Sequence, residues 1–309
     1  MAIQQQETGR TVVAVARPKR SWDLWNAVTR FITHKPLGAA GLFIIVVMGI
    51  MAVAGPWITF YDAIEWNLSD KKVAPNFHWP PSEAHWLGTD EMGRDLWTRM
   101  MMGARVSLLV GFASVAFGSG LGGVLGIVSG WFGGKVDQTV QRLMDALMSI
   151  PTLILAMAVT AALGASLFNI IVAIGVVQIP RANRVVRSQV LAVKESQYVE
   201  GARAIGAGNL RIMAMHITPQ CVAPFLIIAT SALGIAILTE ASLSFLGLGV
   251  QQPEPSWGGM LSGPARDHFV QAPWMAIFPG LGLSLAVYGF NLFGDALRDV
   301  LDPRLRGTQ

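Results

Sequence analysis

Long apolar runs broken by short polar stretches set the pattern of this chain. A helix needs about 20 predominantly apolar residues to cross a bilayer core. Six segments approach that length: 37–60, 104–130, 138–164, 167–188, 221–247 and 274–296. The first two are the cleanest, with no charge between Leu37 and Phe60 or between Val106 and Gly134. The third carries Arg142 and Asp145 near its start. The fourth is uncharged from Leu167 to Pro180 and then meets Arg181, Arg184 and Arg187 at helical spacing. Arginines at the end of a span can snorkel to the headgroups. The fifth is uncharged until Glu240, and the sixth ends at Asp295, Arg298 and Asp299.

The polar stretches are not alike, and their charges predict an orientation. Residues 1–36 hold six basic side chains (Arg10, Arg17, Lys19, Arg20, Arg30 and Lys35) against two acidic ones. Residues 181–218 again hold six basic against Glu195 and Glu200. By contrast, 61–103 has four basic and seven acidic residues, and 249–272 has one basic and two acidic. Loops enriched in Lys and Arg stay on the cytoplasmic side. The expected organisation is a cytoplasmic tail over 1–36, a six-helix domain over 37–300, and a cytoplasmic tail over 301–309. Outer loops then fall at 61–103 and 248–273, and an inner loop at 189–220.

Composition agrees with a lipid-facing surface. Only 14% of the 309 residues are charged and 52% are hydrophobic, with a mean hydropathy of +0.48. Soluble domains carry about 25% charged residues. The net charge of +4 is spread between apolar runs, unlike the clustered basic face of a nucleic-acid binder. The single cysteine, Cys221, excludes an intrachain disulfide framework. The polar, basic first ~36 residues lack the short apolar core of a cleavable signal, so the first apolar segment is expected to stay as an anchor. Trp57, Trp66, Trp79, Trp86, Trp97, Trp257 and Trp274 lie in or beside the outer loops. Indole favours the membrane interface, which predicts an aromatic belt. Gly118, Gly120 and Gly123 match a dinucleotide-site spacing. That motif requires a strand before it; inside an apolar span, small residues point to close helix packing. Gly134-Lys135 is followed by Val136 and completes no phosphate loop. Asn67-Leu68-Ser69 is formally a glycosylation sequon. The five histidines are isolated in sequence, and neither a catalytic constellation nor a metal-ligand spacing is visible.

The longest inner loop carries the most information. Glu195 to Ile205 reads as a short helix with Ser196 at its N-cap, stopped by Gly206 and Gly208. A second short helix over about Leu210–His216 leads to Pro219 and the fifth span. The stretch EGARAIGAGNLRIMAMHITP, Glu200 to Pro219, resembles the EAA loop of the permease subunits of bacterial ABC importers. Glu200, Ala202, Gly206 and Pro219 stand at matching positions, and Gly201 replaces an alanine. His216, three residues before the proline, resembles the peptide-transporter branch.

Three further stretches resemble the peptide/nickel family of ABC importers, in its C-type permease branch. They are HWLGTDEMGRD (His85–Asp95), GWFGGKVDQTVQRLMDALMSIP (Gly130–Pro151) and EASLSFLGLGVQQPEPSWG (Glu240–Gly258), and the C-terminal LDPRLRG adds to them. The resemblance implies an all-α membrane protein with six transmembrane helices and the type I ABC importer permease fold. It implies an ATPase-coupling loop at Glu200, Gly201, Ala202, Gly206 and Pro219, and an outer signature at Gly88, Thr89, Asp90, Gly93, Arg94 and Asp95. It further implies two ATP-binding subunits that hold ATP and Mg, a second homologous permease and an extracytoplasmic binding protein. The chain itself would bind no cofactor and catalyse no reaction. Its place would be a bacterial or archaeal cell membrane with both termini cytoplasmic, and its cargo peptides or a related small solute. Glu240 leaves two readings open, a translocation-pathway residue or an inter-helix polar contact, because an ionisable group within a span is costly. A stand-alone secondary transporter or channel is the alternative class; it would favour internal repeats, and none is evident.

Overall fold

The computed structural model describes residues 35–64 and 85–301, together with Thr29, Phe31 and Thr33. The Asn67 sequon, Trp66, Trp79, most of the first 36 residues and the C-terminal motif after Leu301 lie outside the described residues. Helices make up the regular structure, apart from one isolated bridge between Thr89 and Asp95. They are α1 (Pro36–Ile58), α2 (Leu96–Phe132), α3 (Gly134–Met148), α4 (Thr152–Leu163), α5 (Leu167–Lys194), α6 (Gln197–Ala204), α7 (Asn209–Ile212), α8 (Thr218–Phe245), α9 (Trp257–Leu261), α10 (Pro264–Asp267) and α11 (Trp274–Leu301). A π turn over Met213–Ile217 joins α7 to α8 without a break in the chain's helical course.

All six apolar segments become helical, but they are not six equivalent spans. Four are long and apolar enough to cross a membrane alone: α1, α2, the continuous Asn209–Phe245 run and α11. The expected third span, 138–164, is broken into α3 and α4, which meet at 95°. Pro151 causes the break. It disfavours helical backbone at the residue before it and offers no N–H of its own. The expected fourth span extends to Lys194 as the 28-residue α5, about 42 Å long, but its second half is too basic to pass as lipid-exposed. The second span begins at Leu96 rather than 104 because Asp95 caps it there, its carboxylate accepting from the Thr98 amide.

The core is built around α2, which packs on α5 through small residues. A side chain at Gly118 would meet the Gly175 carbonyl, at Gly122 the Ile179 carbonyl, and at Gly126 the Asn183 carbonyl. These three glycines recur every four residues, so they line one face of α2 and let the two backbones touch. Gly120, from the dinucleotide-like spacing, meets nothing within 4 Å and belongs to another face. The main buried cluster joins Leu108, Val110, Ile170, Ile174, Ile237 and Phe290 across α2, α5, α8 and α11.

Candidate functional site

The inner segment folds as a helix, a sharp turn and a second helix. In α6, Val199 and Ala202 lie three apart and are buried, while Glu200, Gly201 and Arg203 face outward. The buried pair enters a second apolar cluster with Trp131, Val186, Val190, Val193, Ile212, Ile217 and Cys221. Gly206 ends the helix with φ +84, a region nearly closed to residues with a Cβ. The Gly206 amide donates to Arg203 O and the Ala207 amide to Ala202 O, the paired bonds that close a helix with a left-handed residue. Gly208 has φ −70 and needs no such freedom. Ser196 stands at the N-cap, but its hydroxyl donates back to Val193 O and does not cap.

Three side chains seat this unit on the end of α2. Lys194 Nζ donates to Trp131 O at 2.6 Å, and the Arg203 guanidinium lies 4.7 Å from the centre of the Trp131 ring. The π turn is stabilised where Thr218 Oγ1 donates to Met213 O at 2.9 Å, and His216 stacks against Tyr198. Beyond this anchored base, Ile205, Leu210 and Met215 are exposed by 86%, 79% and 64%. Pro219 is exposed at the start of α8. Sequence patterning located the segment and its turn; it missed Trp131 and Arg203, which come together only through the fold.

The outer signature forms a buried polar knot. Asp90 accepts from the Met92 and Arg94 amides, both at 2.9 Å, and from Arg94 Nε at 2.6 Å. Arg99 Nε lies 3.5 Å from the same carboxylate, and its terminal nitrogen donates to Ala63 O. Asp95 joins His85 Nδ1 at 2.9 Å and takes the Thr98 hydroxyl at 2.7 Å. Gly88 and Gly93 adopt positive φ at the two bends. Thr89 is fully buried, and its carbonyl accepts from Trp274 Nε1. Burial, with Asp90 beside it, pushes the Glu91 carboxyl above the usual carboxylate range. Each signature residue thus shapes the loop that starts α2. Two of the tryptophans expected at the interface are core residues instead. Trp257 and Trp274 are buried and donate to Met100 O and Thr89 O, whereas Trp57 and Trp86 are exposed.

Glu240 is fully buried in α8. Ser107 of α2 donates to one carboxylate oxygen at 3.0 Å and Ser244 to the other at 2.8 Å. Ser244 in turn meets Ser256, and the Trp257 amide reaches Ser107. Glu240 therefore ties α8, α2 and the start of α9 together. A third polar layer joins α3 to α5: Arg187 makes a two-pronged pair with Asp137, Arg184 pairs with Asp145, and Gln141 donates to Asn183. Among the described residues, no three His, Cys, Asp or Glu side chains gather as metal ligands would.

Residues 122–307 match the family described as the binding-protein-dependent transport system inner membrane component. That stretch covers more than half of the chain, from the glycine face of α2 through the inner segment to α11. The chain belongs to that family. It is an inner-membrane, multi-pass permease subunit of an ABC transport system, as its motifs led us to expect. Residues 23–80 match the N-terminal TM domain of oligopeptide transport permease C. The permease is 41% identical, over 89% of its length and 90% of the relative's, to the probable D,D-dipeptide transport system permease protein DdpC of Escherichia coli K12. It is 40% identical to the dipeptide transport system permease protein DppC of Alkalihalophilus pseudofirmus, over 91% and 90% of the two chains. It is 41% identical to the glutathione transport system permease protein GsiD of Pectobacterium atrosepticum, over 90% of each. A permease of this family has no catalytic domain and binds no cofactor itself. Membership in a binding-protein-dependent system implies ATPase and binding-protein partners.

Proposed function

We propose that this permease forms half of an import pore for small peptides, paired with a second homologous permease above two ATP-binding subunits. In this reading both termini and the α6–α7 segment face the cytoplasm, and the outer loops meet the binding protein. The observation that carries it is the build of the inner segment. Its base is buried on Trp131 and the ends of α2, α5 and α8, while Ile205 and Leu210 protrude into solvent beside Glu200. Exposed apolar side chains next to a charged, rigid turn fit a groove on a soluble partner. Because the second helix runs through the π turn straight into α8, a push on the turn moves a membrane helix rather than a slack loop. The peptide cargo follows the dipeptide, D,D-dipeptide and glutathione relatives.

Reconstitution of the whole system tests the coupling. Gly206→Pro forces φ from +84 to about −65°, and Glu200→Lys reverses the exposed charge. Both variants are expected to keep ATP hydrolysis and to lose uptake per ATP several-fold. Normal uptake by Gly206→Pro would remove the segment from the mechanism. Uptake by the chain alone in vesicles, without ATPases, would instead favour a stand-alone transporter.

A further inference from the structure

Three elements leave a cavity of about 160 Å³ where the third span breaks. It is lined by Met148, Ile150 and Thr152 at the break, Gln178 and Arg181 on α5, and Ile235 on α8. A single water needs about 10–15 Å³ on a comparable measure, so the space is large enough to admit a small solute group. Gln178 and Arg181 lie one turn apart on the same helix face. Arg181 sits about 21 Å along α5 from Leu167, midway along this 28-residue helix, and its side chain is exposed at the mouth of the cavity.

The charges on α5 are unequally matched. Arg184 pairs with Asp145, Arg187 with Asp137, and Lys194 with the Trp131 carbonyl. Arg181 has no ion pair or hydrogen bond among the described residues. Gln178 Nε2 is buried and also lacks an acceptor among them. An ionised group within a span ordinarily faces a pathway or a partner charge. Of the polar residues lining this cavity, Thr152, Gln178 and Arg181, the two on α5 present N–H donors with no acceptor among the described residues. What fits is an acceptor that carries negative charge and can take two or more N–H groups, and a carboxylate does so.

We propose that this cavity is a subsite for a carboxylate of the transported solute, held in passage by Arg181 and Gln178. The inference rests on the peptide reading above and adds where the peptide's acid group is received. The paired Arg184 and Arg187 would keep Arg181 as the one unmatched cation on that helix. The surrounding Met148, Ile150 and Ile235 offer apolar walls, so an anion would gain from the guanidinium without being held irreversibly by a second charge.

The test uses the complete transporter in proteoliposomes with saturating binding protein, comparing uptake of alanyl-alanine with that of its C-terminal amide. The binding protein's own preference is common to all variants and cancels. In Arg181→Gln the acid-to-amide ratio is expected to fall about tenfold, the factor for one charge-assisted hydrogen bond. Arg181→Lys should recover most of it. Gln178→Leu, which keeps the charge, should lower the ratio by a smaller factor and serves if Arg181→Gln assembles poorly. An unchanged ratio in both variants overturns the proposal. So does separation of Arg181→Gln from its partner permease with recovery in Arg181→Lys, which would assign the charge to the subunit interface. An equal fall in the wild type when anionic phospholipid is left out of the vesicles would assign it to headgroups. A wild type that moves neither probe counts against the peptide reading itself.

Discussion

Asp90 shows how much a single side chain organises in the loop before α2. Its carboxylate accepts two backbone amides, grips Arg94 and balances Arg99, and all three residues are buried. Removing one partner of a buried ionic group strands the others, at a cost of about 3–5 kcal/mol. Asp90→Ala should therefore lower the apparent Tm of the purified protein far more than Asp90→Asn, which keeps the backbone bonds. Equal Tm values for the two variants would show that the backbone bonds to this side chain contribute little, and a Tm unchanged from the wild type in both would show that the arginines are balanced elsewhere. The signature from Gly88 to Asp95 was legible as a motif, but the helix start that Asp95 caps was not, because the span was expected to begin at 104. Arg99 was not singled out, because its partners Asp90 and Ala63 lie nine and 36 residues away and meet it only after folding. Glu240 stood out as an ionisable group in an apolar run, but its partner Ser107 did not, because the two are 133 residues apart.

Between elements, the seam of α2 and α5 brings backbone against backbone. Leucine at Gly118 or Gly122 would push against the backbone carbonyl of Gly175 or Ile179. Backbone gives way less readily than a flexible side chain, and overpacking costs about 1–3 kcal/mol. Gly120→Leu faces open space and should keep a monodisperse elution profile and the parental Tm, while Gly118→Leu and Gly122→Leu lose both. A Gly120 variant as damaged as Gly118 would mean that the open face is covered by another subunit. Apolar run length located every long helix and came within three residues of both ends of α1, but it set the start of α2 eight residues late and the end of α5 six residues early. It could not show that 138–164 bends, because hydropathy is blind to direction and Pro151 sits inside an otherwise continuous run. Nor could it extend α5 to Lys194, since the apolar run ends at Arg181 while the helix continues through Arg184 and Arg187, which pair with α3.

For the molecule as a whole, the proposed orientation makes opposite faces chemically distinguishable. Cys221 is the chain's single cysteine and is buried, so an introduced thiol reports on its own position. Gln251→Cys should react with a membrane-impermeant maleimide on intact cells, and Ile205→Cys only after the membrane is opened. The reverse pattern would invert the topology and place the α6–α7 turn out of reach of any ATPase. The bend between α3 and α4 has an electrical consequence. Two helices at 95° cannot both follow the membrane normal. The 12 residues of α4 rise only about 18 Å, against a hydrocarbon core of about 30 Å. Along that line the chain is a thin insulator. In the resting state the remaining ~12 Å of resistance has to come from side chains meeting across the break, and a transporter that failed to close them would short-circuit the ion gradients of the cell.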